Sequence, residues 1–296
     1  MNAALQVRDL TKRYGTSVAL DGCSFDLPVG RIAALVGSNG AGKSTLLQIA
    51  AGLLTPSAGR IEVFGWSPRE HPRMVLPRIG FLGQDRPLFL GFSVKETMEL
   101  GRRLNPRWDQ GLALERLRRL GIPLDRRIRK LSGGQQAQVS LVLALAKRPD
   151  LLLLDEPVSS LDPIARREFM RTLIDAVAEH GLTVLLSSHI IGDLERVCDF
   201  LVVLAGGRLA LAGDLDRVPE THQLLVVPRE AADVCRRMHE VVWEAHMGRQ
   251  ATLLVRRNGQ GFSPYWQVRE ASLEEIVLAY LESQTNSVRA CAAVWQ

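Results

Sequence analysis

Gly37 to Thr45, GSNGAGKST, narrows what this chain can fold into more than any other stretch. It fits the spacing G-x-x-x-x-G-K-[ST]. A buried-looking run, RIAALVG, precedes it, and a helical pattern, KSTLLQIAAGLL, follows it. Such a loop works because glycines let successive backbone N–H groups turn inward toward phosphate oxygens, while the helix start adds positive potential. Gly37, Ser38, Asn39, Gly40, Ala41 and Gly42 are then the cradle, and Lys43, Ser44 and Thr45 open the helix. Lys43 reaches the β- and γ-phosphates, and the Ser44 hydroxyl ligates Mg²⁺. A strand that runs through a phosphate loop into a helix needs neighbouring strands covered on both faces.

The sequence supplies them. IGFLGQ (79–84), LLLLDEP (151–157) and LTVLLSSH (182–189) are short apolar runs ending in polar residues, as buried strands of a mainly parallel sheet do. Residues 3–32 instead alternate apolar and polar, the pattern of half-buried antiparallel strands. SVKETMELGRRL and DQGLALERLRRLG read as arginine-rich amphipathic helices, which predicts a helical subdomain at about 86–147. DFLVVLAGGRLALAG (199–213) predicts a hairpin. Beyond it, QLLVVPRE, AADVCRRMHEVV and ATLLVRRNG suggest strand, helix and strand, before a last helix in SLEEIVLAYLES with a Ser272–Glu275 capping box.

The expected fold is therefore α/β. It has a phosphate-loop NTPase core with a mainly parallel sheet, an N-terminal antiparallel β-subdomain, the inserted helical subdomain and a small C-terminal α+β extension. The ATP-binding domain is expected over 1–213 and an accessory domain over 214–296.

Asp155, at the end of a buried strand, is placed to hold the hydration shell of Mg²⁺. Glu156 is a second carboxylate that the metal does not need, so it can accept a hydrogen bond from an attacking water. The pair points to nucleotide hydrolysis. No N-K-x-D-type motif for reading guanine appears, which disfavours GTP.

KLSGGQQAQV (130–139) starts another helix. Ser132 and Gln135 have capping-box spacing, yet Gly133 and Gly134 occupy the first turn, where each costs about 1 kcal/mol relative to alanine. A helix that only needed capping would not carry that pair. Two copies of the chain arranged head to tail would use it: the bare turn of one copy would close over the γ-phosphate held by the other.

LSGGQ (131–135) resembles the signature of ATP-binding cassette (ABC) ATPases, and the motifs follow in family order over about residues 3–213. The resemblance implies two subunits sandwiching two ATP molecules between phosphate loop and signature. It also implies roles for single residues. Tyr14 looks like the aromatic that stacks on adenine, and Gln84 like the glutamine that senses Mg²⁺ and the γ-phosphate. Asp162, in SSLDP, is similar to the loop aspartate that crosses the dimer interface. His189 looks like the switch histidine on the γ-phosphate. Two departures stand out: QQAQV after the signature is uncharged where many relatives carry arginines, and Gly83 is unusual before Gln84.

The phosphate loop and the Asp-Glu pair are only about 110 residues apart, too close for relatives that separate them by long coiled coils. A single cassette then implies a separately encoded transmembrane permease. The segment after Gln84, with Leu88, Phe89, Leu90 and Phe92, resembles the surface that receives it, and the C-terminal region resembles that of drug, peptide or lipid exporters. The alternative is a soluble ABC-type ATPase with a regulatory or repair role and no permease. The longest apolar runs fall far short of the about 20 residues a membrane helix needs, and the N-terminus lacks a signal layout, so a cytoplasmic protein, peripheral on the inner face of the membrane, is expected. The four cysteines are scattered without a Cys-x-x-Cys pair, which argues against a disulfide framework. The net charge of +5 comes from dispersed arginines interleaved with carboxylates, so no specific nucleic-acid surface is expected.

Overall fold

The computed structural model of the chain describes residues 3–84, 88–188 and 191–292. Strands β1 (Ala3–Tyr14) and β2 (Ser17–Pro28) form a long hairpin. Next, β3 (Ile32–Val36) feeds the glycine-rich loop and α1 (Lys43–Ala50), and β4 (Ala58–Val63) returns to pair with β1. A short α2 (Pro72–Val75) leads to β5 (Ile79–Leu82). Three helices follow: α3 (Val94–Leu104), α4 (Gln110–Arg119) and α5 (Gly133–Ala146). The chain then alternates through β6 (Leu151–Asp155), α6 (Pro163–His180), β7 (Thr183–Ser188) and α7 (Ile191–Leu194), and finishes the sheet with the hairpin of β8 (Phe200–Ala205) and β9 (Arg208–Asp214).

The central sheet has the order β5-β6-β7-β3-β8-β9, parallel except for β9. Its strands read as continuous apolar runs because both faces are covered. On β3, Ala33 and Leu35 face the core shared with α1 and the N-terminal sheet, while Ala34 and Val36 face the helical side. On β6 the same division separates Leu151 and Leu153 from Leu152 and Leu154. The period of two then sends the next residue, Asp155, toward α1 and the phosphate loop. The N-terminal sheet, β2-β1-β4, is antiparallel, in agreement with its alternating pattern.

The remaining chain forms α8 (Arg217–Glu220), β10 (His222–Pro228), α9 (Ala232–Met238), β11 (Glu240–Met247), β12 (Gln250–Arg256), β13 (Gln267–Glu270) and α10 (Leu273–Ala292). Its sheet has the order β11-β12-β10-β13. Two strands here lie beyond the strand–helix–strand pattern that the sequence suggests. Both are edges: β11 has no fully buried residue and β13 is exposed throughout, so neither carries a clean alternation. The predicted last helix forms as α10, and Ser272 and Glu275 make their capping box. Leu273, Ile276, Val277 and Tyr280 are buried in the same cluster as Leu201, Val203 and Leu194 of the central sheet and α7. No helix among the described residues is long and apolar enough to cross a membrane.

Candidate functional site

The loop after β3 is built by close approach. A Cβ on Gly37 would lie 2.6 Å from the carbonyl oxygen of Leu204, so β8 passes where a side chain would be. Gly40 and Gly42 have φ of +81° and +99°, a backbone that L side chains rarely adopt. Gly42 is the N-cap of α1, and its position also faces the Ala19 carbonyl too closely for any side chain. No side chain caps α1. By contrast α3, α4, α5 and α6 are capped by Ser93, Asp109, Ser132 and Asp162. The amides at the start of α1 therefore open into the adjoining cleft, where an anion can accept from them.

That cleft has a volume of about 650 Å³ and is lined by Asn39 to Thr45, together with Ala19, Gln84 and Glu156. The Lys43 ammonium, 5% exposed, donates to the Gly37 carbonyl (2.8 Å) and the Ser38 carbonyl (3.2 Å), and lies 3.5 Å from Glu156 Oε1. Gln84 reaches the cleft from the segment just after β5.

Asp155 is almost wholly buried at the end of β6. Its Oδ1 accepts from the Ser187 hydroxyl at 2.9 Å, and the same Ser187 oxygen accepts from the Glu156 N–H at 2.8 Å. Glu156 has φ +45°. Left-handed backbone costs a residue with a Cβ about 1–2 kcal/mol, and such strain concentrates at functional sites. The donor set around the cleft, the Ser44 hydroxyl and a buried carboxylate, is all oxygen. That suits a hard cation such as Mg²⁺, which takes one or two protein ligands together with phosphate oxygens.

Other predicted site residues do not line this cleft. Tyr14 ends β1, half exposed, with Lys12 Nζ 5.0 Å from its ring centroid. Ser132 caps α5: its hydroxyl accepts from the Gln135 N–H (3.2 Å), and Gln135 Oε1 accepts from the Ser132 N–H (3.1 Å). A Cβ on Gly134 would meet the Ala165 methyl at 2.8 Å, so this glycine lets α5 pack on α6. Nothing lies within 4 Å of a Cβ on Gly133. Asp162 caps α6, its Oδ1 accepting from Ile164 N and Ala165 N at 3.0 Å each. His189 lies outside the described residues. Two residues were not singled out in the sequence: Ala19, whose strand flanks the loop, and Ser187. The signal for Ser187 was a hydroxyl ending an apolar strand, but its partner is set by strand register, which no local pattern reveals.

A parallel sheet with a glycine loop, an uncapped helix start, a buried lysine and an Asp-Glu strand end defines a phosphate-loop NTPase. Residues 20–159 match the family model described as ABC transporter. The chain is 32% identical over 218 residues to the ABC transporter ATP-binding protein YtrB of Bacillus subtilis (strain 168), covering 74% of each chain. It is 38% identical over 215 residues to the Nod factor export ATP-binding protein I of Rhizobium meliloti (strain 1021), covering 71% of this chain but 64% of that one. Among solved structures it is similar to the dimeric bacterial ABC transporter cassette MJ0796, at a TM-score of 0.64 and 25% identity, over 71% of this chain and 98% of the other. The chain belongs to the ABC transporter family, as an ATP-binding cassette.

Proposed function

We propose that this chain is the ATP-hydrolysing subunit of an exporter, and that two copies enclose two ATP molecules to drive a separate membrane permease. The observation that carries the reading is the convergence of Lys43, Ser44, Gln84 and Glu156 on one cleft at a helix start that has no side-chain cap of its own. In this reading the loop amides of 37–45 and Lys43 bind the phosphates, and Ser44, Gln84 and Asp155 hold Mg²⁺. The metal, when bound, neutralises charge on the β- and γ-phosphate oxygens. Glu156 accepts a proton from the attacking water, and its closeness to Lys43 keeps the two groups on the same phosphate. Tyr14 stacks on adenine, and His189 steadies the γ-phosphate.

The head-to-tail dimer explains Gly133. A glycine in a helical first turn is unfavourable, and this one has neither a left-handed φ nor a crowded Cβ position to require it. Ser132 caps the Gln135 amide and leaves those of Gly133 and Gly134 without a side-chain cap. A phosphate carried by a second copy can accept from both. Ser132, Gly133, Gly134, Gln135 and Asp162 then complete the partner's site.

Exposed apolar groups suit the permease. Phe89 and Phe92 stack with centroids 5.2 Å apart, and Phe89, Leu90 and Leu104 are exposed at 59%, 54% and 70%. Beside them is a cavity of about 310 Å³ lined by Phe81, Leu88, Phe89, Leu100, Leu104 and Trp108. A permease docked there would hold the cassette at the inner face of the membrane. Closure of the dimer on ATP moves the permease only as far as ATP prefers the closed state.

The decisive experiment is Glu156→Gln. It is expected to bind ATP at native affinity, accumulate as a dimer on a sizing column and turn over about 100-fold more slowly, consistent with loss of a general base. Native turnover would overturn the role of Glu156. A companion mixture of Ser132→Arg and Lys43→Ala chains is expected to regain activity that neither has alone, because one composite site is then intact. Mixed dimers that stay dead would overturn the cross-subunit site.

A further inference from the structure

Ser187 is wholly buried at the end of β7. The parallel register of β6 and β7 sets it directly beside Asp155, and the alternation along β7 turns it, like Leu185, toward the α1 side of the sheet. A hydroxyl buried there without partners is unfavourable, so its bonds account for its presence. Both go to the two consecutive carboxylate residues. The O–H donates to Asp155 Oδ1, and the oxygen accepts the Glu156 N–H.

We propose that Ser187 is a positioning residue for ATP hydrolysis, one hydroxyl fixing both the Asp155 carboxylate and the peptide plane that leads into Glu156. The proposal rests on the roles given above to Asp155 and Glu156. Its physical content is a shared clamp. An aspartate at a strand end has several rotamers, and the bond to Oδ1 selects one, leaving Oδ2 for the metal's shell. The Glu156 N–H bond to the same oxygen holds the peptide plane between Asp155 and Glu156, the plane from which Glu156 turns into its left-handed backbone at φ +45°. A tilt of that plane moves the Glu156 carboxylate away from Lys43 and from the water it is to activate. Losing the hydroxyl therefore disturbs metal affinity and the chemical step together, while phosphate binding, which rests on the loop amides and Lys43, is left intact.

Ser187→Thr and Ser187→Val test this, because the two replacements have the same shape and differ by one hydroxyl. Each variant would be measured for steady-state ATP turnover. Mn²⁺ binding in the presence of a non-hydrolysable ATP analogue would be followed by electron paramagnetic resonance. The Thr variant is expected to stay within about threefold of native. The Val variant is expected to lose about 10-fold in kcat with little change in KM for ATP, and to bind Mn²⁺ about 10-fold more weakly, the usual scale for removing an outer-shell partner of a metal ligand. Equal behaviour of the two variants, in both measurements, would overturn the proposal. Should the bulkier residues prevent folding, Ser187→Ala against native protein gives the same comparison: reduced kcat and Mn²⁺ affinity support the clamp, and unchanged values overturn it. Glu156→Gln measured alongside separates the failures. If that variant is slow while loss of the Ser187 hydroxyl is silent, the clamp alone is wrong. If Glu156→Gln itself turns over normally, the underlying assignment of the base is wrong.

Discussion

The nucleotide cleft and the C-terminal unit are built on opposite principles. In the cleft, backbone is the working material: α1 begins without a cap, Gly40 and Gly42 take up left-handed backbone, and Glu156 does so despite its side chain. In the C-terminal unit the side chains do the joining. His222 is buried with its Nδ1–H donating to the Val218 carbonyl (2.8 Å) and its Nε2 accepting from the Tyr280 hydroxyl (2.9 Å). That hydroxyl in turn accepts from Arg256 Nε at 2.9 Å. The bonds tie α8, β10, β12 and α10 together beside the apolar cluster that α10 shares with the central sheet. One region keeps backbone amides available to a ligand; the other ties its elements together through side chains at a buried junction.

The contrast is broken most directly at Gly42. Gly42→Ala puts a methyl against the Ala19 carbonyl and the Leu20 side chain at a φ of +99°. ATP affinity is expected to fall by at least about 100-fold, and stability by about 1–3 kcal/mol from strain alone. Equilibrium nucleotide binding and thermal melting both check it. Native affinity would mean that the loop is not the phosphate cradle.

Ile276→Ala strikes the other region. Ile276 is wholly buried on α10, facing the cluster that includes Leu201 and Val203. The expected cost is about 2–5 kcal/mol, the range for deleting a large aliphatic side chain from a packed core. Because that cluster is continuous with the central sheet, the main melting transition should move. Movement confined to a small separate transition would mean that the C-terminal unit melts on its own.

The same contrast decides what could be read from the sequence. The phosphate loop, Asp155-Glu156 and the Ser132–Gln135 cap announce themselves because each depends on neighbours a few residues away. The parallel strands were legible too, as apolar runs covered on both faces. What escaped depends on partners far along the chain. Ser187 meets Asp155 only through the register of two strands, and His222 meets Tyr280 across 58 residues of sequence. Edge strands β11 and β13 escaped because exposed strands need not alternate. A solitary buried histidine gives no local sign that it will be a junction.

Gly133 sharpens the comparison from within one motif. Gly134→Ala would collide with Ala165, whereas Gly133→Ala meets nothing. The latter is expected to raise stability by about 0.5–1 kcal/mol, as alanine does in a helix, while lowering ATP turnover. Urea melts and turnover of the same preparation check it. A more stable variant with undiminished turnover would remove the main reason for placing this turn against a second copy's nucleotide.

The smallest effect concerns pH. Burial holds the His222 pKa below its ordinary value of 6.5, with Arg256 acting in the same direction, while the bond to the Val218 carbonyl and the charge of Glu240 act against it. A histidine whose folded pKa is depressed favours the neutral form in the native state. Its contribution is fully present above pH 6.5 and is lost as pH falls through the lower folded value, because the unfolded chain takes up the proton first. Melting temperature is therefore expected to decline on acidification from pH 7.5 into the region below 6, by less than the Ile276→Ala effect. His222→Gln can still donate to Val218 and accept from Tyr280 but cannot titrate, so its decline should be shallower. Parallel curves for the two proteins would show that this buried junction is not what acid loosens first. A decline that continues below about pH 4.5 belongs to other groups, exposed pairs such as Arg269 with Glu275, whose carboxyl is held from its ordinary 4.5 down to about 2 mainly by its bond to that arginine. That depression puts its own loss of stability at a still lower pH, so the two sources separate along a single acid titration.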